Sequence, residues 1–136
     1  MTPSPHIDPP LVLIADDEPN ILLSLEFLMK REGLRTCVAA DGTQALAAVQ
    51  RERPDLVLLD VMMPGKSGFE VCQAVRADEA LAATRILMLT AKGRETDVAK
   101  GLALGADAYI TKPFSTRDLV ERVRALLAEA GTRSGR

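Results

Sequence analysis

Five short, mostly apolar runs constrain the fold of this 136-residue chain more than any other feature. Each run is too short for a helix and is bounded by polar or turn-forming residues, so each predicts a buried strand. The runs lie at residues 11–15, 36–40, 56–60, 85–90 and 107–111. The segments between them space their apolar residues as amphipathic helices do. Strands that alternate with helices through short links predict an α/β fold, a doubly wound parallel sheet with helices on both faces.

Capping patterns mark the starts of three of the predicted helices. Each pattern pairs a capping side chain with a residue three positions later, at residues 41–44, 67–70 and 115–118. A further helix is predicted at about residues 20–32, with Pro19 suited to its first position. The fourth helix, about residues 95–104, is the least marked, because Val98 and Leu102 give a thin apolar stripe and Gly101 weakens it. We expect this helix to be mobile.

The fold-forming pattern covers one domain, residues 11–129, which is long enough to bury a sizeable core. Residues 1–10 contain four prolines and predict a flexible N-terminal tail in which His6 is solvated. Residues 130–136 predict a polar C-terminal tail.

Composition excludes several classes of partner. The chain has 17 Lys plus Arg against 19 Asp plus Glu, so nothing predicts direct binding to nucleic acid. It has no apolar stretch long enough for membrane insertion. Cys37 and Cys72 lie inside apolar patterns without metal-binding spacing, which predicts reduced core residues and a cytoplasmic protein.

Polar residues follow the predicted strands at their carboxyl ends. They are Asp16 and Asp17 after the first strand, Asp60 at the third, Thr90 at the fourth and Lys112 after the fifth. In parallel sheets these ends meet at one edge, where ligands bind. Three carboxylates and one ammonium leave a charge of about −2, which a divalent cation would cancel. Oxygen ligands favour Mg²⁺, with Mn²⁺ possible.

This group of residues fits phosphoryl transfer, which requires an aligned nucleophile, a metal and a cation. Asp60 would be the nucleophile, Lys112 the cation and Thr90 a hydrogen-bond donor. Taken singly, Asp16 or Asp17 could be a helix cap and Asp60 a turn former. A nucleotide or flavin site is disfavoured, because no glycine-rich phosphate-binding motif follows a strand.

The same motifs resemble the receiver domains of two-component response regulators over about residues 11–129. The matching segments are Asp16-Asp17, Leu59-Asp60-Val-Met-Met-Pro-Gly, Thr90-Ala91 and Tyr109-Ile-Thr-Lys-Pro-Phe. The resemblance implies a flavodoxin-like fold with strand order 2-1-3-4-5. It also implies that Asp60 accepts a phosphoryl group from a sensor histidine kinase or phosphotransfer protein. Asp16, Asp17, Asp60 and the backbone carbonyl of Met62 would hold Mg²⁺.

The resemblance assigns the remaining roles as well. Lys112 would contact the phosphoryl oxygens, and its peptide bond to Pro113 would be cis. Thr90 and Tyr109 would switch on phosphorylation and reshape the face of the fourth helix, fifth strand and fifth helix for a downstream effector. Met62 and Lys92 occupy the positions that tune dephosphorylation, and their bulk and charge predict slow loss of the phosphoryl group. Apart from this self-phosphorylation and self-dephosphorylation, no enzyme activity is expected.

Within the receiver hypothesis, a free-standing regulator similar to chemotaxis regulators is favoured over a receiver fragment of a multidomain regulator or hybrid kinase. Val98 and Ala108 are apolar where dimerising members commonly place charges, which predicts a monomer or weak dimer. A phosphohydrolase of the haloacid dehalogenase type is a distant alternative. That class requires Asp-x-Asp, whereas Asp16, Asp17 and Glu18 follow the first strand here.

Overall fold

A computed structural model of the protein describes residues 9–91 and 94–134. The strands are β1 Leu11–Ala15, β2 Arg35–Ala39, β3 Leu56–Asp60, β4 Arg85–Ala91 and β5 Ala108–Lys112. The α-helices are α1 Pro19–Arg31, α2 Gly42–Glu52, α3 Gly68–Ala77, α4 Glu95–Ala103 and α5 Thr116–Ser134. A 3₁₀ turn at Glu79–Leu81 precedes β4. All the strand pairs are parallel in the order β2-β1-β3-β4-β5, which confirms the predicted fold.

The two faces of the sheet carry separate apolar clusters. Residues of α2 and α3, such as Val49 and Val71, pack on one face. Residues of α1 and α5, such as Leu25 and Val123, pack on the other. β3 is buried at all five positions because it lies in the middle of the sheet and both faces above it are covered.

The predicted caps are present with one difference. Ser67 and Glu70 form a complete capping box, and the Ser115 hydroxyl accepts a hydrogen bond from the Asp118 N–H. The Asp41 carboxylate accepts from the Gln44 N–H, but the Gln44 side chain accepts from the Ala40 N–H instead of the cap residue. The reciprocal half of that box is therefore displaced by one residue.

The structure corrects two further expectations. Leu102 is 44 % exposed, and the buried residue of α4 is Gly101, because the missing side chain lets the helix approach Met88 and Phe69. α5 continues to Ser134, so residues 130–134 of the predicted C-terminal tail are helical. The residues 1–8 of the predicted N-terminal tail, including His6, lie outside the described residues.

Gly101→Ala is expected to stabilise the protein by about 0.5–1 kcal/mol, because alanine is the better helix former. A Cβ at this position would lie 3.5 Å from two Met88 side-chain atoms, which is ordinary contact. Urea unfolding measures the change. Gly105→Ala is the matched control: its φ is +111° and its Cβ would lie 2.5 Å from Arg76, so it should destabilise. Equal effects from the two variants would contradict this account.

Candidate functional site at the carboxyl edge of the sheet

The sheet brings the predicted polar residues to one edge. Asp16 directly follows β1, while Asp60 and Lys112 are the last residues of β3 and β5. Thr90 lies one residue before the end of β4 and pairs with Thr111. β1 and β4 both flank β3, so Asp60 lies at the centre of this edge.

Asp16, Asp17 and Asp60 form a compact carboxylate cluster. Each offers an oxygen that lies within 4.8 Å of those of the other two. Asp16 and Asp60 are buried, whereas Asp17 is exposed to solvent. Hard oxygen donors at this spacing, with one side open, fit a divalent cation such as Mg²⁺ that keeps some of its water.

Lys112 supplies positive charge to the cluster. Its Nζ donates to Asp16 Oδ2 at 2.8 Å and lies 3.5 Å from Glu18 Oε1 and 3.6 Å from Asp60 Oδ1. Burial works against the ammonium, but the hydrogen bond to Asp16 and the surrounding carboxylates outweigh it and raise the pKa of Lys112. Lys112 therefore stays charged. Its peptide bond to Pro113 is cis.

Among the three carboxylates of the cluster, Asp60 has a raised pKa. Its pKa is raised to about 6, first by burial and then by the negative charge of Asp16, with a smaller contribution from Asp17. Lys112 and the Met62 N–H, which donates to Asp60 Oδ1 at 3.3 Å, only partly compensate. At neutral pH Asp60 is mostly an ionised carboxylate that lacks sufficient positive charge around it.

The loop after Asp60 is fixed by the starts of two helices. The Gly42 N–H donates to the Pro64 carbonyl at 3.3 Å, and the Gly68 N–H donates to the Val61 carbonyl at 2.9 Å. A Cβ on Gly42 would lie 1.7 Å from the Lys66 carbonyl oxygen, so only glycine permits this approach. The exposed Met62 side chain lies on this loop beside the carboxylate cluster.

A cavity of about 370 Å³ opens above Asp60, and we call it the Asp60 cavity. Asp17, Glu18, Met62 and Lys112 line it from the strand ends and loops. Arg94 and Asp97 line it from the start of α4, and sequence reasoning missed both. Their one available signal was position, because Arg94 follows Thr90 by only four residues and must therefore lie near the same edge.

A smaller cavity of about 190 Å³, the Tyr109 cavity, lies between β4, β5 and α4. Thr90 and Tyr109 both line it. The Thr90 hydroxyl is buried and has no hydrogen-bond partner among the described residues. The Tyr109 ring is turned outward, 37 % exposed, with the Arg122 guanidinium 5.8 Å from its centre. Lys92, predicted to tune dephosphorylation, lies outside the described residues.

These features define a flavodoxin-like α/β domain with an acidic, metal-type site at the carboxyl edge of its sheet. The family model for the response regulator receiver domain matches residues 12–124. The chain belongs to this family and is a receiver domain of two-component signalling.

Individual relatives agree with this assignment. The chain is 49 % identical over 116 residues to the DNA-binding response regulator MtrA of Mycolicibacterium smegmatis, which covers 85 % of this chain and 50 % of that protein. The chain thus spans about half the length of the curated relatives it matches.

Solved structures show the same fold. The chemotaxis response regulator CheY4 of Vibrio cholerae aligns with a TM-score of 0.82 and 34 % identity, over 87 % of this chain and 98 % of that chain. A CheY-like receiver domain protein of Methanospirillum hungatei aligns with a TM-score of 0.86 and 30 % identity, over 92 % and 98 %. Within residues 9–91 and 94–134, no helix combines the length and hydropathy that a membrane span requires.

Proposed function

We propose that this receiver domain accepts a phosphoryl group on Asp60 from a sensor histidine kinase or a phosphotransfer protein. The observation that carries the proposal is the state of Asp60. It is a buried, under-compensated carboxylate at the centre of the carboxylate cluster, with Lys112 Nζ 3.6 Å away. Such a carboxylate can act as a nucleophile toward a phosphoryl donor. Cations bound beside it would stabilise the negative charge of the carboxylate and of the transferred group.

In the transfer, an Asp60 carboxylate oxygen attacks the phosphorus of the donor phosphohistidine. The new O–P bond forms as the N–P bond breaks, and the imidazole nitrogen leaves with the bonding pair and takes up a proton. Asp16, Asp17, Asp60 and the Met62 carbonyl would hold Mg²⁺ or Mn²⁺, which supplies neutralisation of phosphoryl charge when bound. Lys112 places an ammonium beside the same oxygens.

The Thr90 hydroxyl and Tyr109 support a switching role. A buried hydroxyl without a partner is costly, and a phosphoryl oxygen on Asp60 would give it an acceptor. As Thr90 moves toward that oxygen, the exposed Tyr109 ring can enter the Tyr109 cavity that both residues line. This changes the surface formed by α4, β5 and α5, which we propose as the binding face for a downstream effector.

A groove of about 590 Å³ between α1 and the β5–α5 connection supports docking of the phosphodonor protein. Asn20, Ile21 and Phe114 line it, and Glu18 and Lys112 line both this groove and the Asp60 cavity. A histidine carried on a partner that binds the groove would therefore lie next to Asp60. Leu23 and Phe27 are exposed apolar side chains on the same helix, α1.

The relatives favour one alternative to a free-standing regulator. MtrA proteins at 49–50 % identity are named DNA-binding response regulators and are about twice as long as the matched region. We therefore propose that this receiver controls an output unit in a multidomain regulator. Any DNA contact would belong to that unit, since this chain carries a formal charge of −2.

Acetyl phosphate with Mg²⁺ is expected to form an acid-stable, base-labile acyl phosphate on the wild-type protein, visible as the mass of one added phosphoryl group. Asp60→Asn should abolish it, and EDTA should reduce it strongly in the wild type. An acyl phosphate that survives in Asp60→Asn but disappears in Asp16→Asn would reverse the assignment toward a phosphohydrolase. Slow self-dephosphorylation also remains a prediction, and a phosphoryl half-life of seconds would contradict it.

A further inference from the structure

Arg94 lines the Asp60 cavity but has no role in the proposed function. It immediately precedes α4, and it lines both the Asp60 cavity and the Tyr109 cavity. Its Nε lies 2.9 Å from Asp97 Oδ2, and Asp97 also lines the Asp60 cavity. The Arg94 side chain is 49 % exposed, whereas that of Asp97 is only 13 % exposed. Both residues of this ion pair therefore form part of the wall of the Asp60 cavity.

The acidic residues that line the Asp60 cavity outnumber the basic ones. Asp17, Glu18, Asp60 and Asp97 line it, against Lys112 and Arg94. Lys112 is already shared among Asp16, Glu18 and Asp60, all within 3.6 Å of its Nζ. Among the described residues, Arg94 has Asp97 as its only ion-pair partner. Arg94 is thus the lining cation with donors left for an incoming anion.

We propose that Arg94 is a phosphoryl ligand supplied by α4, released from Asp97 when Asp60 is phosphorylated. This inference rests on the proposed function of Asp60. Phosphorylation converts a carboxylate of charge −1 into a group that carries about −2 on terminal oxygens. A guanidinium binds such oxygens with paired, charge-assisted hydrogen bonds, so the phosphoryl group competes well with the single Asp97 contact.

The position of Arg94 links this step to the output surface. Arg94 and Asp97 close the first turn of α4 as an i, i+3 pair. When Arg94 turns toward the phosphoryl group, that turn loses its ion pair and the wall between the two cavities changes shape. α4 therefore receives the phosphorylation signal through Arg94 in addition to the Thr90 and Tyr109 route.

The test measures beryllofluoride, a phosphoryl mimic, binding to the full chain with saturating Mg²⁺ by NMR titration. Arg94→Gln is expected to weaken binding about threefold to tenfold, the range for a partly exposed charge-assisted contact. Arg94→Lys should retain part of the affinity. Arg117→Gln is the control, because Arg117 forms a comparable exposed pair with Glu121 on α5, away from the cavity. It should leave the affinity unchanged.

Mg²⁺ affinity separates a ligand role from general damage. Removing a positive charge beside a cation site should leave Mg²⁺ binding unchanged or tighter, whereas a distorted site would lose affinity for both Mg²⁺ and beryllofluoride. Loss of Mg²⁺ affinity in Arg94→Gln would therefore overturn the proposal. Asp97→Asn should tighten beryllofluoride binding about twofold or more in the wild-type background, and not in the Arg94→Gln background.

Three possible results distinguish the role of Arg94 from the proposed phosphorylation of Asp60. Wild-type binding that Asp60→Asn abolishes and Arg94→Gln weakens supports both. Wild-type binding that Arg94→Gln leaves unchanged overturns the role of Arg94 alone. Absence of wild-type binding overturns the proposed function, and the role of Arg94 with it.

Discussion

Asp60→Asn protein in EDTA at pH 7.5 is expected to be more stable than wild type by about 2–3 kcal/mol. The pKa of Asp60 is raised from 3.8 to about 6, chiefly by burial and by the charge of Asp16. Each unit of pKa shift corresponds to about 1.4 kcal/mol between the two protonation states, so the ionised carboxylate destabilises the folded protein. Asparagine keeps the size of the side chain and an oxygen for the Met62 N–H without that charge.

The advantage of Asp60→Asn should depend on pH in a defined direction. Because the folded-state pKa lies above the unfolded one, the folded protein binds more protons between about pH 4 and pH 6. The destabilisation by Asp60 is therefore fully present above about pH 6 and disappears as the pH falls toward 4. Urea unfolding of both proteins across this pH range measures the difference in their free energies of unfolding. The titration of other groups is common to both proteins and cancels in this difference.

Mg²⁺ should largely remove this difference in stability. The wild type gains about 2.7 kcal/mol at a Mg²⁺ concentration of 100 times the dissociation constant, whereas Asp60→Asn lacks one ligand and gains less. Glu129→Gln is a control for removal of one exposed carboxylate and should show neither effect. A wild type as stable as Asp60→Asn in EDTA, at both ends of the pH range, would contradict the electrostatic account of the site.

The sequence predicts the carboxyl edge well because strand ends are local features. A short apolar run that stops at Asp16, Asp60 or Thr90 shows both the strand and the residue at its end, and parallel pairing then brings the ends together. The capping patterns at Ser67 and Ser115 are equally local. The box at Ser67 is complete, and the Ser115 hydroxyl accepts from the Asp118 N–H.

Features that depend on how two elements approach each other were beyond sequence reasoning. The apolar Leu102 suggested an inward stripe on α4, but the helix turns the small Gly101 toward Met88, and Leu102 remains exposed. The hydrogen bond of Lys112 to Asp16 spans 96 residues of sequence, and no local pattern indicates which carboxylate takes the shorter contact. The role of Arg94 at the cavity was not predicted, because its position depends on the conformation of the connection between β4 and α4.

A second consequence of long-range packing is a charge cluster at the opposite edge of the sheet, in which Arg85 is buried and Asp107 and Arg76 are partly buried. Asp107 lies between two arginines, with Oδ2 2.7 Å from Arg76 Nη2 and Oδ1 3.1 Å from Arg85 Nη1. The Ile86 N–H also donates to Asp107 Oδ2 at 2.8 Å, and Arg76 Nε donates to the Gly105 carbonyl at 2.8 Å. These contacts join α3 and the start of β4 to the connection between α4 and β5.

Asp107→Asn is expected to destabilise the protein by about 3–5 kcal/mol, the range for breaking a buried ion pair by removing one partner. Arg85 is the reason for the size of the effect. Its side chain is 2 % exposed, and its Nε and Nη2 have no hydrogen-bond partner among the described residues. Without the Asp107 charge, this guanidinium would remain buried with no counter-charge. Urea unfolding measures the loss, with circular dichroism to establish that the variant folds.

Arg85→Met should leave the stability nearly unchanged or raise it by about 1 kcal/mol or more. In this variant an apolar side chain of similar length replaces a buried charge that has few hydrogen-bond partners. Asp107 keeps Arg76 and the Ile86 N–H in that variant. In the Arg85→Met background, Asp107→Asn should therefore cost less than in the wild type, and the double-mutant cycle measures the difference directly. An Arg85→Met protein as unstable as Asp107→Asn would show instead that Arg85 is a net contributor to stability. Since this cluster lies away from the Asp60 cavity, Arg85→Met should still form the acyl phosphate.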